Sequence, residues 1–261
     1  MIDFSSLNYE IIDAHIHPAV DIEGTDFSSF KFSTPPEKLI ATLKRAGISQ
    51  AAGSVVRRFA DKPQWEELHQ LNLAALELHR QYPDFYIPGI HIHPEYIQES
   101  LAEVEEMNKC GVKLIGELVA YMMGYKSYSI PALDDIWSLV QELDMTVSIH
   151  CLPEDAANLL KKFPDLKLII AHPTSNNAEY NERLELGAKY PNTALDISGS
   201  GPNTWNMLRH GINKAGVNKL IFGTDFPLRN PGMYVAGVCF EDLTDAERQA
   251  IFADNFKRLL A

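Results

Sequence analysis

Residues 11–18 read IIDAHIHP, a short β-branched run that ends in two histidines one residue apart. Alternate side chains of a strand point to the same face, so His15 and His17 lie on one face, about 6.6 Å apart along the strand. Two neutral imidazoles placed in this way can bind one cation such as zinc. Alone, the pair is a weak signal, and its meaning depends on the rest of the chain.

A strand-like run followed by a helical segment recurs eight times along the sequence. The runs lie at residues 10–17, 50–56, 85–93, 111–118, 145–151, 166–173, 192–199 and 219–227. Each precedes a segment whose apolar residues recur every three or four positions, as in an amphipathic helix. Eight such units in 261 residues predict an α/β fold, a parallel (β/α)8 TIM barrel in which residues 1–261 form a single domain.

Local signals mark several of the predicted helices. Thr34 with Glu37 and Thr244 with Glu247 match the capping-box pattern at helix starts. An apolar stripe marks residues 64–81 as a helix that packs on the sheet by one face. His210 precedes Gly211, which indicates a helix end where a positive charge complements the helix dipole.

The composition excludes several classes of protein. A content of 46% hydrophobic and 22% charged residues supports a folded core and excludes disorder. The 23 Lys and Arg against 35 Asp and Glu give a net charge of -12, which disfavours nucleic acid and anionic membranes as partners. Three cysteines without CxxC spacing fit a reducing cytoplasm. With no signal peptide or membrane span in the sequence, we expect a cytoplasmic protein.

Residues that can bind metal gather where the predicted strands end. His150 ends the fifth predicted strand in SIHC, His172 ends the sixth in IIAHP, and Asp225 ends the eighth in FGTDFP. In a barrel, the carboxyl ends of all strands form one mouth. We therefore expect these three side chains to meet His15 and His17 there.

The fourth run adds a carboxylate to this set. Glu117 in LIGEL occupies the mouth position, where it could bridge two ions or accept a hydrogen bond from a ligand histidine. Lys113 is predicted to share its face of the strand, but it lies roughly 13 Å below the mouth. We expect that lysine to be buried or on the bottom face.

These pieces, in this order, resemble the amidohydrolase superfamily, in particular the branch that contains the aminocarboxymuconate-semialdehyde decarboxylases. The matching segments span nearly the whole chain: DAHIHP, LIGEL, SIHC, IIAHP, YPNTALDISG, FGTDFP and the terminal DNFKRLL. The resemblance implies a distorted (β/α)8 barrel with one or two divalent ions per chain, usually zinc, at the mouth.

The resemblance also implies roles for individual residues. It implies that His15, His17, His150 and Asp225 are metal ligands, and that His172 is either a ligand of a second ion or an acid that polarises the substrate. Many relatives bridge two ions with a carbamylated lysine after the fourth strand, where this chain has Glu117. A Gly-Glu pair at this place also resembles the TatD-type nucleases.

The chemistry that we expect is metal-dependent hydrolysis of a small-molecule substrate. A bound ion lowers the pKa of its water from about 15.7 towards 7, which produces hydroxide at neutral pH. As in other members of the superfamily, Asp225 would orient this hydroxide, accept its proton and pass it to the leaving group. His172 would polarise the carbonyl. The substrate would carry an amide, lactone or ester-like carbonyl.

Other functions stay open on the sequence. Some relatives contain one metal ion and catalyse the non-oxidative decarboxylation of small carboxylic acids. The presence of Glu117 only weakly disfavours that reaction. A TatD-like nuclease is disfavoured by the acidic charge balance, and a non-catalytic metal or ligand binder is a further alternative. Histidine and carboxylate ligands suit zinc, manganese and iron alike. The oligomeric state is open, although barrels of this kind often dimerise.

Weaker candidates surround this set. Asp13 lies on the same predicted face as His15, either supporting the site or as an ordinary buried carboxylate. His91 and His93 repeat the same spacing in the third run, where we expect packing, with substrate contact by His93 as the alternative. Residues 18–34 could form a lid, and residues 121–128 could line a pocket or pack a long loop.

Three arginines near strand ends are candidates for binding a substrate carboxylate. Arg57 and Arg58 end the second run, and Arg229 follows Asp225 by four positions. The guanidinium group can bind a carboxylate through two hydrogen bonds. Solvation at the surface is the simpler explanation for each.

Overall fold

One sheet of parallel strands organises the computed structural model, which describes residues 7–28, 30, 35–59 and 62–261. Within these residues, eight strands follow one another around the sheet in chain order. They are β1 (Ile12–Asp13), β2 (Gln50–Ser54), β3 (Tyr86–Ile90), β4 (Leu114–Val119), β5 (Thr146–His150), β6 (Lys167–Ile170), β7 (Thr193–Asp196) and β8 (Leu220–Ile221). Each predicted run overlaps one strand, with β4 extending one residue beyond the fourth run, and the predicted TIM barrel is confirmed.

Backbone hydrogen bonds join the first strand region to the last and close the barrel. The amide of His17 donates to the carbonyl oxygen of Phe226 at 2.7 Å, and the amide of Asp225 donates to that of His15 at 2.8 Å. Ile16 also forms an isolated parallel bridge with Phe226. This closure places the His15 and His17 segment directly against the loop that carries Asp225.

Helices follow the strands; most of them cover the outside of the barrel, and the last one lies at its bottom. They are α1 (Pro36–Arg45), α2 (Trp65–Gln81), α3 (Ile97–Lys109), α4 (Asp134–Glu142), α5 (Pro153–Lys162), α6 (Asn177–Lys189), α7 (Met207–Ala215), α8 (Pro231–Phe240), α9 (Asp245–Gln249) and α10 (Asn255–Leu260). None of the described helices is both long enough and apolar enough to cross a membrane.

The predicted helix starts have different outcomes. At α9, Thr244 Oγ1 accepts the Glu247 amide at 3.2 Å and Glu247 Oε2 accepts the Thr244 amide at 2.7 Å, which confirms this capping box. Thr34 lies outside the described residues, so the other capping box stays a prediction. The helix predicted at residues 64–81 is α2.

The predicted helix end at His210 is wrong. Helix α7 continues through Gly211 to Ala215. Gly211 belongs inside this helix because a Cβ there would lie 2.6 Å from Tyr180 Oη, so the missing side chain permits close packing of α6 on α7. His210 Nε2 contacts Asn181 Oδ1 at 2.8 Å and links these two helices.

The bottom of the barrel is filled, which leaves the mouth as the open end. Phe256 and Leu259 of α10 pack among small and branched interior side chains such as Ala194 and Ile169. Thr146 Oγ1, at the start of β5, donates to the carbonyl oxygen of Leu259 at 2.7 Å. Ligands can therefore approach the barrel interior from the carboxyl ends of the strands.

Strand β4 departs from regular alternation just before Glu117. Its register with β5 shifts between Ile115 and Leu118. Gly116 has a φ of 93°, a conformation that favours glycine, and a Cβ there would lie 2.2 Å from the carbonyl oxygen of Ser148. Lys113 donates to the carbonyl oxygen of Leu143 at 3.3 Å, which places its ammonium at the start of the strand, as expected.

Candidate metal centre

The structure brings the six predicted metal-site residues together at the mouth. His15 and His17 follow β1, and their Nε2 atoms lie 3.1 Å apart. Glu117 Oε2 lies 3.3 Å from both nitrogens. Asp225, in the loop after β8, places Oδ1 3.6 Å from His17 Nε2 and 3.8 Å from His15 Nε2. These four side chains direct polar atoms at one small region.

The second oxygen of Glu117 faces another pair of imidazoles. Oε1 lies 3.4 Å from His150 Nδ1 and 3.2 Å from His172 Nε2. His150 ends β5 and His172 follows β6. The buried Glu117 carboxylate therefore stands between two sets of nitrogen atoms, one from the β1 region and one from β5 and β6.

The outer nitrogens of His15 and His17 both face oxygen acceptors. His15 Nδ1 lies 2.8 Å from Asp196 Oδ2, and His17 Nδ1 lies 3.3 Å from the carbonyl oxygen of Ser54. An ionised carboxylate and a carbonyl can only accept, so each Nδ1 carries a proton and a neutral ring has a bare lone pair on Nε2. Two such lone pairs in contact need a cation or a proton between them.

Asp196, the last residue of β7, contacts a candidate ligand, His15, and the sequence analysis did not single it out. It is fully buried, and its Oδ1 accepts the amide of Ser198 at 2.7 Å. Ser198 Oγ in turn lies 2.8 Å from His172 Nδ1. Metal-binding histidines are commonly oriented in this way by a carboxylate or hydroxyl behind them. A signal was present, because the seventh predicted run contains an acid in its second half, Asp196 in LDISG.

The charges of the cluster favour a cation. Burial alone would lower the pKa of His15, but the carboxylates of Glu117 and Asp196 raise it well above its ordinary value. Burial would raise the pKa of Glu117, but His15 and His172 hold it well below its usual range. The two buried carboxylates therefore stay ionised and attract positive charge.

The residues fit a divalent ion. Within the described part of the chain, Glu117 Oε1 is buried without a hydrogen-bond partner. Ligand atoms around a tetrahedral zinc with bonds of 2.0–2.1 Å are about 3.3 Å apart, close to the spacings around Glu117. The candidate ligand groups are His15, His17 and Glu117; Glu117, His150 and His172; and His15, His172 and Asp196. Imidazole and carboxylate donors suit zinc, manganese or iron.

Asp13 supports the backbone below this centre. Its Oδ1 accepts the amide of His15 at 3.1 Å and the amide of Thr224 at 2.9 Å. Burial raises the pKa of Asp13 to about 7, although these hydrogen bonds oppose the shift. The side chain ties β1 to the loop that carries Asp225, as a buried carboxylate that acts on the site through the backbone.

The histidines of the third run contact backbone carbonyl oxygens of neighbouring segments. His91 Nε2 contacts the carbonyl oxygen of Val55 and His93 Nε2 that of Met123, both at 2.8 Å. Both side chains are buried. The expected packing role is confirmed for both, and each links the end of β3 to a neighbouring segment.

Two cavities open beside the cluster, with Tyr121 lining both. The first has a volume of about 760 Å³, adjoins His150 and His172, and is lined by the tyrosines of the segment 121–128. The second has a volume of about 650 Å³, and Phe27 and Arg58 are part of its wall. Both volumes are typical of sites for small molecules.

Of the three predicted carboxylate-binding arginines, Arg58 lines the second cavity, whereas Arg229 lines a different one. Arg57 pairs with Glu67 at 3.2 Å, whereas no acidic side chain among the described residues pairs with Arg58. The Arg58 guanidinium lies 5.1 Å from the ring centre of Phe27, which is 6.3 Å from that of His17. Residues 29 and 31–34 lie outside the described residues, so the lid over this cavity stays a prediction.

Comparison with known proteins identifies a family. A family model described as "Amidohydrolase" matches residues 12–261. Among curated protein sequences, none matches this chain.

Several solved structures share the fold. The 2,6-dihydroxybenzoate decarboxylase from Rhizobium is 16% identical, covers 97% of this chain and 98% of its own, and has a TM-score of 0.74. A probable 2-pyrone-4,6-dicarboxylic acid hydrolase from Acinetobacter baumannii is 17% identical over 96% and 99% of the two chains, with a TM-score of 0.69. A dihydroxybenzoic acid decarboxylase from Polaromonas, with bound manganese, is 16% identical over 97% of each chain, with a TM-score of 0.69.

Proposed function

The chain belongs to the amidohydrolase family, and from this membership we propose that it is a metal-dependent hydrolase that attacks an amide, lactone or ester-like carbonyl of a small molecule. The observation that carries the proposal is the position of Glu117. One of its carboxylate oxygens lies 3.3 Å from two imidazole nitrogens, and the other lies 3.2 and 3.4 Å from two more. A carboxylate placed in this way suits a bridge between two ions.

The proposed centre assigns each side chain to one ion or to both. His15, His17 and Asp225 would hold one divalent ion, His150 and His172 would hold the other, and Glu117 would contribute one oxygen to each. Zinc is the first choice, with manganese and iron as alternatives. When bound, such ions supply a Lewis acid and lower the pKa of coordinated water towards about 7.

Asp225 moves the proton in the proposed reaction. Its amide bonds the carbonyl oxygen of His15, so the backbone holds the carboxylate beside His15 and His17. The Asp225 carboxylate would accept the proton of the attacking water and deliver it to the leaving nitrogen or oxygen of the substrate. In a centre with one ion, His172 would be free to donate from Nε2 to the substrate carbonyl.

Decarboxylation of an aromatic carboxylic acid is the second candidate, and Arg58 favours it. This guanidinium, without an acidic partner among the described residues, lines an aromatic cavity beside His17. It could bind a substrate carboxylate through two hydrogen bonds. In this reaction a carbon–carbon bond breaks, carbon dioxide leaves, and the electron pair on the remaining carbon takes up a proton.

A TatD-like nuclease has less support. The net charge of -12 repels a phosphate backbone on average. Lys62, the other cation of the second cavity, is already paired with Glu95 at 2.5 Å. Binding of DNA at low salt would revive this candidate.

Metal content tests the proposed centre. We expect two ions per chain in the purified, metal-loaded protein and about one in Glu117→Gln, because the amide cannot bridge two cations as a carboxylate does. Glu103→Gln is the matched control, since Glu103 is also buried and faces a histidine, His69, at 2.9 Å between α2 and α3. Unchanged metal content in Glu117→Gln would reject the bridge.

Turnover tests the reaction. The metal-loaded protein is to be assayed with lactones, N-acyl amino acids and aromatic carboxylic acids, with Asp225→Asn as the inactive reference. Release of acid from a lactone or amide supports hydrolysis. Release of carbon dioxide alone, lost in Arg58→Met, would replace the hydrolase with the decarboxylase.

A further inference from the structure

Arg183 of α6 lies behind the part of the centre formed by His150 and His172. Its side chain is buried, with 5% of the residue exposed. One terminal nitrogen donates to the carbonyl oxygen of Cys151 at 2.7 Å, and the other donates to that of Ala171 at 3.2 Å. Cys151 and Ala171 are the residues next to the two histidines. One guanidinium therefore bridges the chain where it leaves β5 and β6.

The burial of this guanidinium calls for a reason beyond stability. Glu179 accepts a hydrogen bond from Arg183 at 2.9 Å, but the Nε–H is buried without a partner among the described residues. Buried charges with incomplete hydrogen bonding are costly, and apolar side chains of similar volume often stabilise a protein as well or better. The contacts indicate that Arg183 serves the geometry of the two strand ends.

His172 is the residue that most needs such support. Its φ of 58° lies in the left-handed region, which is unfavourable for a non-glycine residue. Such a conformation persists where its surroundings fix it. Arg183 fixes the preceding carbonyl at Ala171, and Ser198 contacts Nδ1 of the ring at 2.8 Å.

We propose that Arg183 is a positioning residue, which holds His150 and His172 where both reach one ion beside Glu117 Oε1. The inference rests on the proposed two-ion centre. Ligands of a metal site work only when held within about 0.5 Å of the productive geometry. Loss of the guanidinium therefore loosens both histidines of this ion at once.

The other ion is supported independently of Arg183. His15 is oriented by Asp196, and His17 contacts the carbonyl oxygen of Ser54. Among the described residues, Arg183 donates to Ala171, Cys151 and Glu179 and makes no hydrogen bond to His15, His17, Asp196 or Ser54. Removal of Arg183 is therefore expected to weaken binding of the ion at His150 and His172 and to leave the affinity for the other ion unchanged.

The test is a calorimetric titration of metal-free protein with zinc, which resolves the two binding steps. In Arg183→Met, the Kd of one step is expected to rise about 10- to 100-fold, as for other residues that orient metal ligands, while the Kd of the other step stays unchanged. The weakened step must be the one that is lost in His150→Ala. Arg209→Met is the matched control, because Arg209 bonds Glu247 at 2.8 Å through two nitrogens on the outside of the barrel, and both steps should be unchanged.

A second variant separates positioning from folding. Arg183→Lys keeps the charge but cannot span both carbonyls, so the same step should weaken by a smaller factor in a protein with the parent circular dichroism spectrum. Unchanged steps in either folded variant, or equal weakening of both steps, would overturn the inference. A parent protein that binds fewer than two ions would overturn the proposed centre, and the inference with it.

Discussion

The chemistry of the centre depends on which nitrogen each imidazole presents to the mouth. Asp196 accepts a hydrogen bond from His15 Nδ1, and the carbonyl oxygen of Ser54 accepts one from His17 Nδ1. Both Nε2 atoms therefore keep a lone pair for a cation. The nitrogens that face Glu117 are Nε2 in His172 but Nδ1 in His150. One hydrogen bond at each Nδ1 atom of His15 and His17 thus determines which nitrogen is available as a metal ligand.

Replacing Asp196 with asparagine should change which ring nitrogen of His15 carries the proton. The amide can donate to His15 Nδ1, which would move the ring proton to Nε2 and block the lone pair that faces Glu117. We expect zinc affinity to fall about 10- to 100-fold, as measured by calorimetric titration. Asp134→Asn, which removes only an exposed ion pair with Lys162, is the control. Equal affinities in the two variants would contradict this account of the tautomer.

His91 should make stability depend on pH. Burial lowers its pKa to about 4, although the hydrogen bond to Val55 opposes the shift. Between pH 6.5 and 4 the imidazole of His91 takes up a proton in the unfolded chain but not in the folded protein. The contribution of neutral His91 to the free energy of unfolding is therefore complete above about pH 6.5 and is lost as the pH falls towards 4. The loss is at most about 3 kcal/mol.

Urea unfolding of the metal-free protein at pH 7 and pH 4.5 measures this contribution. In His91→Gln, whose amide can still donate to the carbonyl oxygen of Val55, the decrease in stability between the two pH values should be smaller than in the parent. The same decrease in both proteins would show that His91 does not cause it.

The sequence predicted the ligand candidates and offered Asp13 as a supporting residue, but it did not single out Asp196 or Arg183. His150, His172 and Asp225 follow from one rule, that polar side chains at strand ends meet at the mouth. Asp196 contacts His15 across 181 positions of sequence, and Arg183 reaches the strand ends from a helix. Such contacts depend on side-chain directions that spacing and period do not encode.

At the scale of elements, the order and type of the secondary structure were predictable, and the exceptions have local causes. Every predicted run overlaps a strand, because β-branched runs between amphipathic helices leave few alternatives. The register shift in β4 depends on Gly116, whose backbone approaches that of Ser148. Gly211 does not end α7, since Tyr180 occupies the space of its missing side chain. A glycine in a sequence does not reveal which neighbour requires it.

The capping box of α9 gives an element-scale prediction. Thr244→Ala removes the oxygen that accepts the amide of Glu247, and the free energy of unfolding should fall by about 1 kcal/mol. Urea unfolding at neutral pH measures the change. Thr42→Ala is the control, because Thr42 Oγ1 only donates to the carbonyl oxygen of Lys38 within α1, and its effect should be near zero. Equal losses would show that the cap contributes nothing specific.

At the scale of the whole molecule, the proposed centre joins parts of the chain that the barrel alone holds less firmly. Its candidate ligands come from five places around the mouth, after β1, in β4, at the end of β5, and after β6 and β8. The first and last strands contain only two residues each, so few ladder hydrogen bonds hold the point of closure. A cation between His15, His17 and Asp225 would bind both sides of that point.

Chelation should therefore lower the thermal stability of the protein. Zinc at a hundredfold excess over Kd stabilises the folded state by about 2.7 kcal/mol per site. In chains of this size, 1 kcal/mol corresponds to roughly 2–4 °C in Tm, so removal of two ions should lower Tm by roughly 10–20 °C. Scanning calorimetry with and without a chelator measures the shift, which should be clearly smaller in Glu117→Gln and unchanged in Glu103→Gln. A Tm that does not respond to chelation in the parent would mean that no ion holds the closure of the barrel.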